Sequence, residues 1–185
     1  MPDKNSNTSL ATFAGGCFWC MEPVFRIYPG VASAIVGYTG GDKPNPTYVE
    51  VSSGLSGHRE GIQVQYDPQK IKYEFLLKIF LHNIDPTDAG GQFHDRGTQY
   101  QTAIYFHDEE QKRLAQTALK DLAASGKFDK TLAVQLLPYK NFYPAEEYHQ
   151  GYYKKNPVRY QAYHEGSGRD NYLARVWDTS SDPHK

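Results

Sequence analysis

The chain has little cysteine, little excess charge of either sign and no long apolar run. Its 185 residues include two cysteines, Cys17 and Cys20, which are too few for a disulfide scaffold. Lys and Arg total 20 against 21 Asp and Glu, and both signs are spread along the chain. We therefore expect neither a nucleic-acid partner nor a basic membrane-binding face. No apolar segment approaches the roughly 20 residues that a membrane helix needs.

The first ten residues are polar and lack the apolar core of a secretory signal. We therefore expect a reducing, cytoplasmic setting. The length suits one domain, predicted over residues 10–178, with a disordered or extended N-terminus at 1–9 and a tail at 179–185. We expect this domain to be a monomer.

Tyrosine is abundant, with 15 in the chain, many of them between Tyr139 and Tyr172. Most are expected to pack in a partly wet core, each ring buried and each hydroxyl partnered. The alternative is a pocket lined by rings and hydroxyl donors.

Hydrophobic periodicity predicts strands alternating with helices. Strands are predicted at Leu10–Ala14, Val31–Tyr38, Glu60–Tyr66, Gln101–His107 and Thr131–Leu137. Helices are predicted from Cys17 to Tyr28, with a start after Trp19 left open, from Tyr73 to Asn83, and from the cap Asp108 to Gly126. Loops are expected at 39–58 and 85–97, then an irregular aromatic segment after Pro138 with a short helix at Ala145–Tyr153. This order predicts an α+β fold, a two-layer sandwich of helices on a mixed sheet with a ferredoxin-like core.

The two cysteines lie in the segment Gly15-Gly16-Cys17-Phe18-Trp19-Cys20. A glycine turn before a helix points free backbone N–H groups at Cys17, and the helix dipole favours a thiolate, so we expect a lowered pKa. Cys20 follows one turn later, about 5–6 Å away and within disulfide range. The alternative is two inert thiols packed in a core.

The Cys-x-x-Cys motif alone is compatible with several classes of protein. A thioredoxin-like oxidoreductase would place the motif after a longer opening segment. A metal site needs further ligands, and the seven histidines form no ligand pair, so no metal is expected. Cys20 and Arg26 have the spacing of a tyrosine phosphatase, but Pro23 between them lacks a donor for phosphate. A non-enzymatic aromatic binding module would leave the cysteines without a purpose.

Five blocks in order resemble the A-class peptide methionine sulfoxide reductases. They are 16–19 (Gly-Cys-Phe-Trp), 37–48 (Gly-Tyr-Thr-Gly-Gly, then Asn-Pro-Thr-Tyr), 57–60 (Gly-His-Arg-Glu), 95–100 (Asp-Arg-Gly-Thr-Gln-Tyr) and 148–157 (Tyr-His-Gln, then Lys-Asn-Pro). Five blocks in register across residues 11–163 make the match specific.

The resemblance implies a site for thiol-dependent reduction of methionine S-sulfoxide, peptide-bound or free, in the repair of oxidised proteins. Such a reaction needs a nucleophile, an acid, donors to the oxygen and an apolar seat for the S-methyl group. The resemblance implies that Cys17 is the nucleophile and Glu60 the acid. Tyr48 and Tyr100 would donate to the oxygen, and Phe18 and Trp19 would hold the S-methyl group. Asp95 would support the hydrogen-bond network, and Tyr160 would be a further pocket tyrosine. Burial near Phe18 and Trp19 would raise the pKa of Glu60 and keep it protonated.

The cycle would leave a sulfenic acid on Cys17, which a second thiol can resolve. Many relatives carry resolving cysteines near the C-terminus, but here Gln161 follows Tyr160 and no cysteine follows Cys20. We therefore hypothesise a Cys17–Cys20 disulfide reduced by thioredoxin or another dithiol, with no bound cofactor. Direct attack by an external thiol is the alternative.

Overall fold

A six-stranded mixed sheet forms the centre of the fold. The structure is a computed structural model, and it describes residues 8–177. The sheet contains β1 (Ser9–Ala14), β2 (Val31–Thr39), β3 (Arg59–Tyr66), β6 (Ala103–Phe106), β7 (Gln135–Pro138) and β8 (Phe142–Pro144). Their spatial order is β7-β6-β1-β3-β2-β8, antiparallel except for the parallel pair β6 and β7. A two-stranded ribbon, β4 (Gly91–Gln92) and β5 (Asp95–Arg96), lies apart from this sheet.

Seven α-helices accompany the sheet in the described residues. They are α1 (Phe18–Arg26), α2 (Tyr48–Ser52), α3 (Tyr73–Leu81), α4 (Glu109–Ala124), α5 (Tyr152–Lys155), α6 (Pro157–Gly166) and α7 (Arg169–Val176). Thr98–Tyr100 and Glu147–His149 form single 3₁₀ turns. No helix within residues 8–177 combines the length and apolar character needed to cross a membrane.

The elements β1-α1-β2-β3-α3-β6 form the ferredoxin-like core that the sequence predicts, with strands in the order β6-β1-β3-β2. The main apolar cluster joins α1 and α3 to the sheet, where the Phe13 ring stacks on Phe25 at 5.5 Å and on Phe80 at 4.9 Å. Burial of such rings supplies most of the driving force for this packing. The predicted α+β class is confirmed.

Two predicted segments differ in detail. The strand predicted at Thr131–Leu137 is confined to Gln135–Pro138, because the Ala133 N–H donates to the Pro86 carbonyl at 2.7 Å instead of joining a ladder. The predicted loop at 39–58 contains α2, whose capping box pairs Thr47 with Glu50. The first helix begins at Phe18 with Cys17 as its N-cap, so the later start after Trp19 is wrong.

The prediction of an irregular segment after Pro138 is wrong. This part of the chain adds β8 to the edge of the sheet and then forms α5, α6 and α7. The helix expected at Ala145–Tyr153 is instead a 3₁₀ turn followed by α5. No residue of α6 is fully buried, so its sequence lacks the apolar stripe that periodicity detects. The predicted termini lie outside the described residues except for Thr8 and Ser9, and Ser9 begins β1.

Candidate active site

Cys17 lies where the first strand passes into the first helix. The turn between them needs glycine: Gly16 has a φ of +81°, and a Cβ there would lie 2.5 Å from the Cβ of Gln92. Cys17 is the N-cap of α1, and the Cys20 N–H donates to its carbonyl at 3.1 Å. Only 6% of Cys17 is exposed, so the thiol lies at the bottom of a recess.

The two cysteines of the pair ionise differently, because burial dominates at Cys17 and a hydrogen bond dominates at Cys20. Burial raises the pKa of Cys17 well above the ordinary thiol value, and the neighbouring Cys20 raises it further. The hydrogen bond with Cys17 lowers the pKa of Cys20, and the positive charge of Arg169 adds to that shift. The expectation of a lowered pKa for Cys17 is therefore wrong, because desolvation outweighs the helix N-terminus.

Glu60 lies near the start of β3, opposite Tyr38 of β2. The Phe18 N–H of the first helical turn donates to its Oε2 at 3.0 Å. Only 3% of Glu60 is exposed, and burial raises its pKa well above 4.5, with the nearby Cys17 raising it further. The carboxyl group is thus held protonated at a higher pH than an exposed glutamate.

Two tyrosine hydroxyls reach the site from separate elements. Tyr48 is the first residue of α2, and its backbone N–H donates to Glu146 Oε1 at 2.8 Å. Tyr100 ends the 3₁₀ turn that begins at Thr98. Burial raises the pKa of Tyr48 to about 12 and raises that of Tyr100 as well, so both remain neutral hydrogen-bond donors.

Phe18 and Trp19 form the aromatic wall. The Trp19 ring stacks on Tyr152 at 3.9 Å, and its indole N–H donates to Nδ1 of His149 at 2.9 Å. The Phe18 ring packs against the same His149 ring at 5.0 Å. Two contacts from the C-terminal segment therefore fix the orientation of the indole ring.

These side chains surround one pocket. Its volume is about 300 Å³, including the space at its opening to solvent. The pocket is lined by Cys17, Phe18, Trp19, Tyr48, Glu60, Asp95, Tyr100 and Tyr163. Of the nine site residues predicted from the sequence, all but Cys20 and Tyr160 line it. Cys20 lies one turn behind Cys17 on α1.

Tyr163 replaces the predicted Tyr160 at the pocket. Its hydroxyl donates to Asp95 and contacts the thiol of Cys17. Tyr160 lies one turn earlier on α6, with its hydroxyl 3.4 Å from Nδ1 of His164. The resemblance gave no signal for Tyr163, and because the two rings lie one turn apart on the same face, the docking of α6 decides which of them enters the pocket.

No group of three or more His, Cys, Asp or Glu side chains between residues 8 and 177 is arranged to hold a metal ion. The pocket instead combines a thiol, a protonated carboxyl group, neutral hydroxyl donors and an aromatic wall. Such a set suits attack by sulfur on an electrophile whose oxygen must be protonated as it leaves.

Comparisons with known proteins agree with this chemistry. The sequence model of the family "Peptide methionine sulfoxide reductase" matches residues 9–181. The chain is 51% identical to peptide methionine sulfoxide reductase MsrA of Bacillus licheniformis, over 94% of this chain and 96% of that protein. It is 49% identical to MsrA 2 of Staphylococcus aureus, over 90% and 94%.

Solved structures show the same architecture. Mxr1 from Saccharomyces cerevisiae in its reduced form matches with a TM-score of 0.77 and 33% identity, over 83% of this chain and 88% of that chain. Methionine sulfoxide reductase A of Corynebacterium diphtheriae matches with a TM-score of 0.74 and 33% identity, over 84% and 78%. Mxr1 in complex with Trx2 matches with a TM-score of 0.57 and 25% identity, over 82% and 89%. The sequence, the fold and the pocket together show that the chain belongs to the peptide methionine sulfoxide reductase family.

Proposed function

We propose that this chain reduces methionine S-sulfoxide, peptide-bound or free, with Cys17 as the nucleophile and Glu60 as the acid. The observation that carries the assignment is that both buried groups face one pocket. The S-methyl group rests against Phe18 and Trp19. The sulfoxide oxygen then points to Glu60 and to the tyrosine hydroxyls.

In the reductase step the sulfoxide gives up one oxygen atom and gains two electrons. The sulfur of Cys17 attacks the sulfoxide sulfur while the oxygen takes the proton of Glu60. The carboxylate thus formed is a base close to Cys17, and it accepts the thiol proton. The S–O bond of the substrate then breaks, an S–O bond to Cys17 forms, and methionine leaves as the thioether with the electron pair of the transient S–S bond, so Cys17 ends as a sulfenic acid. The raised pKa of Cys17 suits this order, because the thiol loses its proton only once substrate has taken one from Glu60.

The two tyrosines and Asp95 have supporting roles. Tyr48 and Tyr100 stay neutral and donate hydrogen bonds to the oxygen as its negative charge grows. Asp95 accepts from Tyr163 and so holds that hydroxyl against Cys17. The apolar wall excludes water from the reacting sulfur atoms.

Recycling is assigned to Cys20 and a thioredoxin. Cys20 is the only other cysteine of the chain and lies within hydrogen-bond reach of Cys17. The yeast relative solved in complex with Trx2 supports a thioredoxin as the reductant. No bound cofactor is needed for this chemistry. The single domain over residues 10–178, the monomeric state and the cytoplasmic location remain predictions.

Two cysteine variants test the assignment. Cys17→Ser should abolish oxygen removal from an acetylated methionine S-sulfoxide amide, because no thiolate remains to attack sulfur. Cys20→Ser should complete one turnover, then stall with a sulfenic acid that dimedone traps, and lose turnover driven by thioredoxin. The wild-type chain should lose both thiols per substrate reduced. Parental activity in Cys17→Ser would refute the nucleophile, and thioredoxin-driven turnover by Cys20→Ser would refute the resolving thiol.

A further inference from the structure

A histidine and an aspartate stand in line behind Cys20. Nδ1 of His164, on α6, lies 3.2 Å from the sulfur of Cys20. Nε2 of the same ring lies 2.9 Å from Oδ1 of Asp170, in the first turn of α7. The His164 side chain is 20% exposed, whereas that of Asp170 is 60% exposed. Carboxylate, imidazole and thiol therefore form a continuous chain from the surface to the buried pair.

The two contacts select one tautomer of the histidine. An ionised Asp170 only accepts hydrogen bonds, so Nε2 of His164 must carry the hydrogen. Nδ1 is then an acceptor, and the group next to it is the thiol of Cys20. An acceptor nitrogen 3.2 Å from a thiol, with its other nitrogen held by a carboxylate, has the arrangement of a general base for that thiol.

We propose that His164 is the general base for Cys20 in the resolving step and that Asp170 is its positioning residue. The inference rests on the proposed function, since it needs Cys20 to attack the sulfenic acid. It goes further by giving the second half-reaction its own proton acceptor, separate from Glu60.

The step balances without another reactant. His164 takes the proton of Cys20, and the thiolate attacks the sulfur of Cys17–SOH. An S–S bond forms and the S–O bond breaks, and the hydroxide leaves as water after taking back the proton that His164 received from Cys20. The electron pair of the Cys20 thiolate becomes the S–S bond and the pair of the S–O bond leaves with the hydroxide, so a disulfide and one water replace a sulfenic acid and a thiol.

Other charged groups near Cys20 affect its ionisation as well. The hydrogen bond from Cys17 lowers its pKa most, and the charge of Arg169 lowers it further, whereas Asp95 and Glu60 raise it. The Tyr160 hydroxyl shares Nδ1 of His164 at 3.4 Å, and burial raises its pKa, so it stays neutral. None of these groups replaces the histidine as a proton acceptor in contact with the sulfur, because Cys17 gives up its own thiol before resolution begins.

A purely structural role makes a different prediction. Hydrogen bonds that only tie α6 and α7 to α1 would, when removed, change the resolving rate equally at every pH. Loss of a base slows resolution most at low pH, where little of the thiol is ionised. The deficit then narrows as the pH approaches the ordinary thiol range, about 8.5.

The test separates the two half-reactions in one mixing experiment. Reduced full-length protein is mixed with excess acetylated methionine S-sulfoxide amide, without reductant, between pH 6 and pH 9. Timed samples are quenched with N-ethylmaleimide. The methionine amide product reports the reductase step, and mass spectrometry reports loss of the Cys20 thiol. The variants are His164→Gln, Asp170→Asn and, as a matched surface control on α6, Glu165→Gln.

At pH 6.5 the resolving rate relative to the reductase rate should fall about 100-fold in His164→Gln. Asp170→Asn, an exposed position that threatens folding little, should lose severalfold in the same ratio because the ring is no longer held in its tautomer. Both deficits should narrow toward pH 9, and Glu165→Gln should match the parent.

Three results would overturn the inference, and each is distinct. An equal deficit at all pH values would leave His164 a structural tie. Parental resolving rates in both His164→Gln and Asp170→Asn would remove the base while leaving Cys20 as the resolving thiol. A wild-type chain that keeps its Cys20 thiol while dimedone traps Cys17 would refute the resolving role itself, and the base with it.

Discussion

Glu60 is the residue whose chemistry depends most on its surroundings. Its carboxyl group is buried beside Cys17 and accepts one backbone hydrogen bond, from Phe18 at 3.0 Å. Because burial raises its pKa, the group keeps its proton where an exposed glutamate would be ionised. A proton retained to higher pH in this way is available to the sulfoxide oxygen.

Replacing this acid by its amide should slow the reductase step. Glu60→Gln keeps the shape and can still accept from the Phe18 N–H, but the amide has no proton to transfer. We expect single-turnover reduction of the acetylated sulfoxide amide to fall about 10²- to 10³-fold. Stopped-flow tryptophan fluorescence can follow the reaction, since Trp19 lines the pocket. A rate near that of the parent would remove Glu60 from the acid role.

Glu60→Gln should lower the reductase rate but raise the free energy of unfolding at higher pH. The stability measurement therefore controls for a loss of folding. A pKa raised in the folded state means that the stability linked to Glu60 is fully present below about pH 4.5 and is lost as the pH rises through the folded value. Each pH unit between the two pKa values is worth about 1.4 kcal/mol. Urea unfolding should find Glu60→Gln close to the parent at pH 4 and more stable than it at pH 8. Equal stability at both pH values would mean that the carboxyl group is not held protonated by burial.

The sequence predicts most of the site residues, but it does not predict the properties that depend on burial in the folded chain. Residues such as Cys17 and Glu60 lie in blocks that the resemblance marks, so their meeting in one pocket could be anticipated. The raised pKa of Cys17 could not, since it depends on how deeply the folded chain covers the thiol. Tyr163 was missed because the choice between it and Tyr160 follows from the docking of α6, which local sequence does not determine.

At the scale of elements, the short helix α2 carries Tyr48 into the pocket. Five residues are too few to form a stable helix alone, so its ends must be held. Thr47 and Glu50 close a capping box at its N-terminus, and Glu146 accepts from the Tyr48 N–H at 2.8 Å. The position of the Tyr48 hydroxyl therefore depends on contacts outside the helix.

Removing the cap should loosen this helix measurably. Thr47→Ala leaves the Glu50 N–H without its side-chain acceptor, which should cost about 1 kcal/mol and lower the melting temperature by roughly 2–4 °C. The reductase rate should also fall severalfold, because Tyr48 is held less firmly. Calorimetry and single-turnover kinetics check both effects. Thr117→Ala on the exposed face of α4 is the matched control and should lower neither value, since alanine favours a helix interior more than threonine does; equal losses in the two variants would contradict a role for the cap.

The elements that were predicted correctly are those with a clear apolar period. Tyr73–Leu81 buries one continuous stripe, and from Ile62 to Tyr66 the strand β3 alternates between buried and half-buried side chains. Short elements such as α2 lack room for a period, and α6 has no fully buried residue. Their structure comes from caps and from contacts with distant parts of the chain, which a local pattern does not contain.

At the scale of the whole molecule, the C-terminal helices close over the start of the chain. Arg169, at the start of α7, is 2% exposed, and its guanidinium donates to the carbonyl of Gly15 at 3.1 Å and to that of Asn83. It also stacks over the Phe93 ring at 4.6 Å. One buried cation thus joins the glycine turn beneath Cys17 to the end of α3 and to α7, and the placement of Tyr163 and His164 depends on that junction.

Replacing Arg169 by methionine, an apolar side chain of similar length, should therefore affect both the stability of the fold and the recycling of Cys17. Arg169→Met removes the donor to the buried carbonyl of Gly15 and to the half-buried carbonyl of Asn83, at a cost of about 3 kcal/mol in the free energy of unfolding. The substitution also removes the Nε of Arg169, a buried donor that has no partner within residues 8–177, and this gain limits the cost.

Loss of the positive charge of Arg169 also removes one influence that lowers the pKa of Cys20, so resolution should need a higher pH than in the parent. Urea unfolding and the pH dependence of disulfide formation measure the two effects, with Arg175→Met on the exposed side of α7 as the control. If Arg169→Met matches Arg175→Met in both, the C-terminal helices are held by their other contacts, and the guanidinium does not join them to the active site.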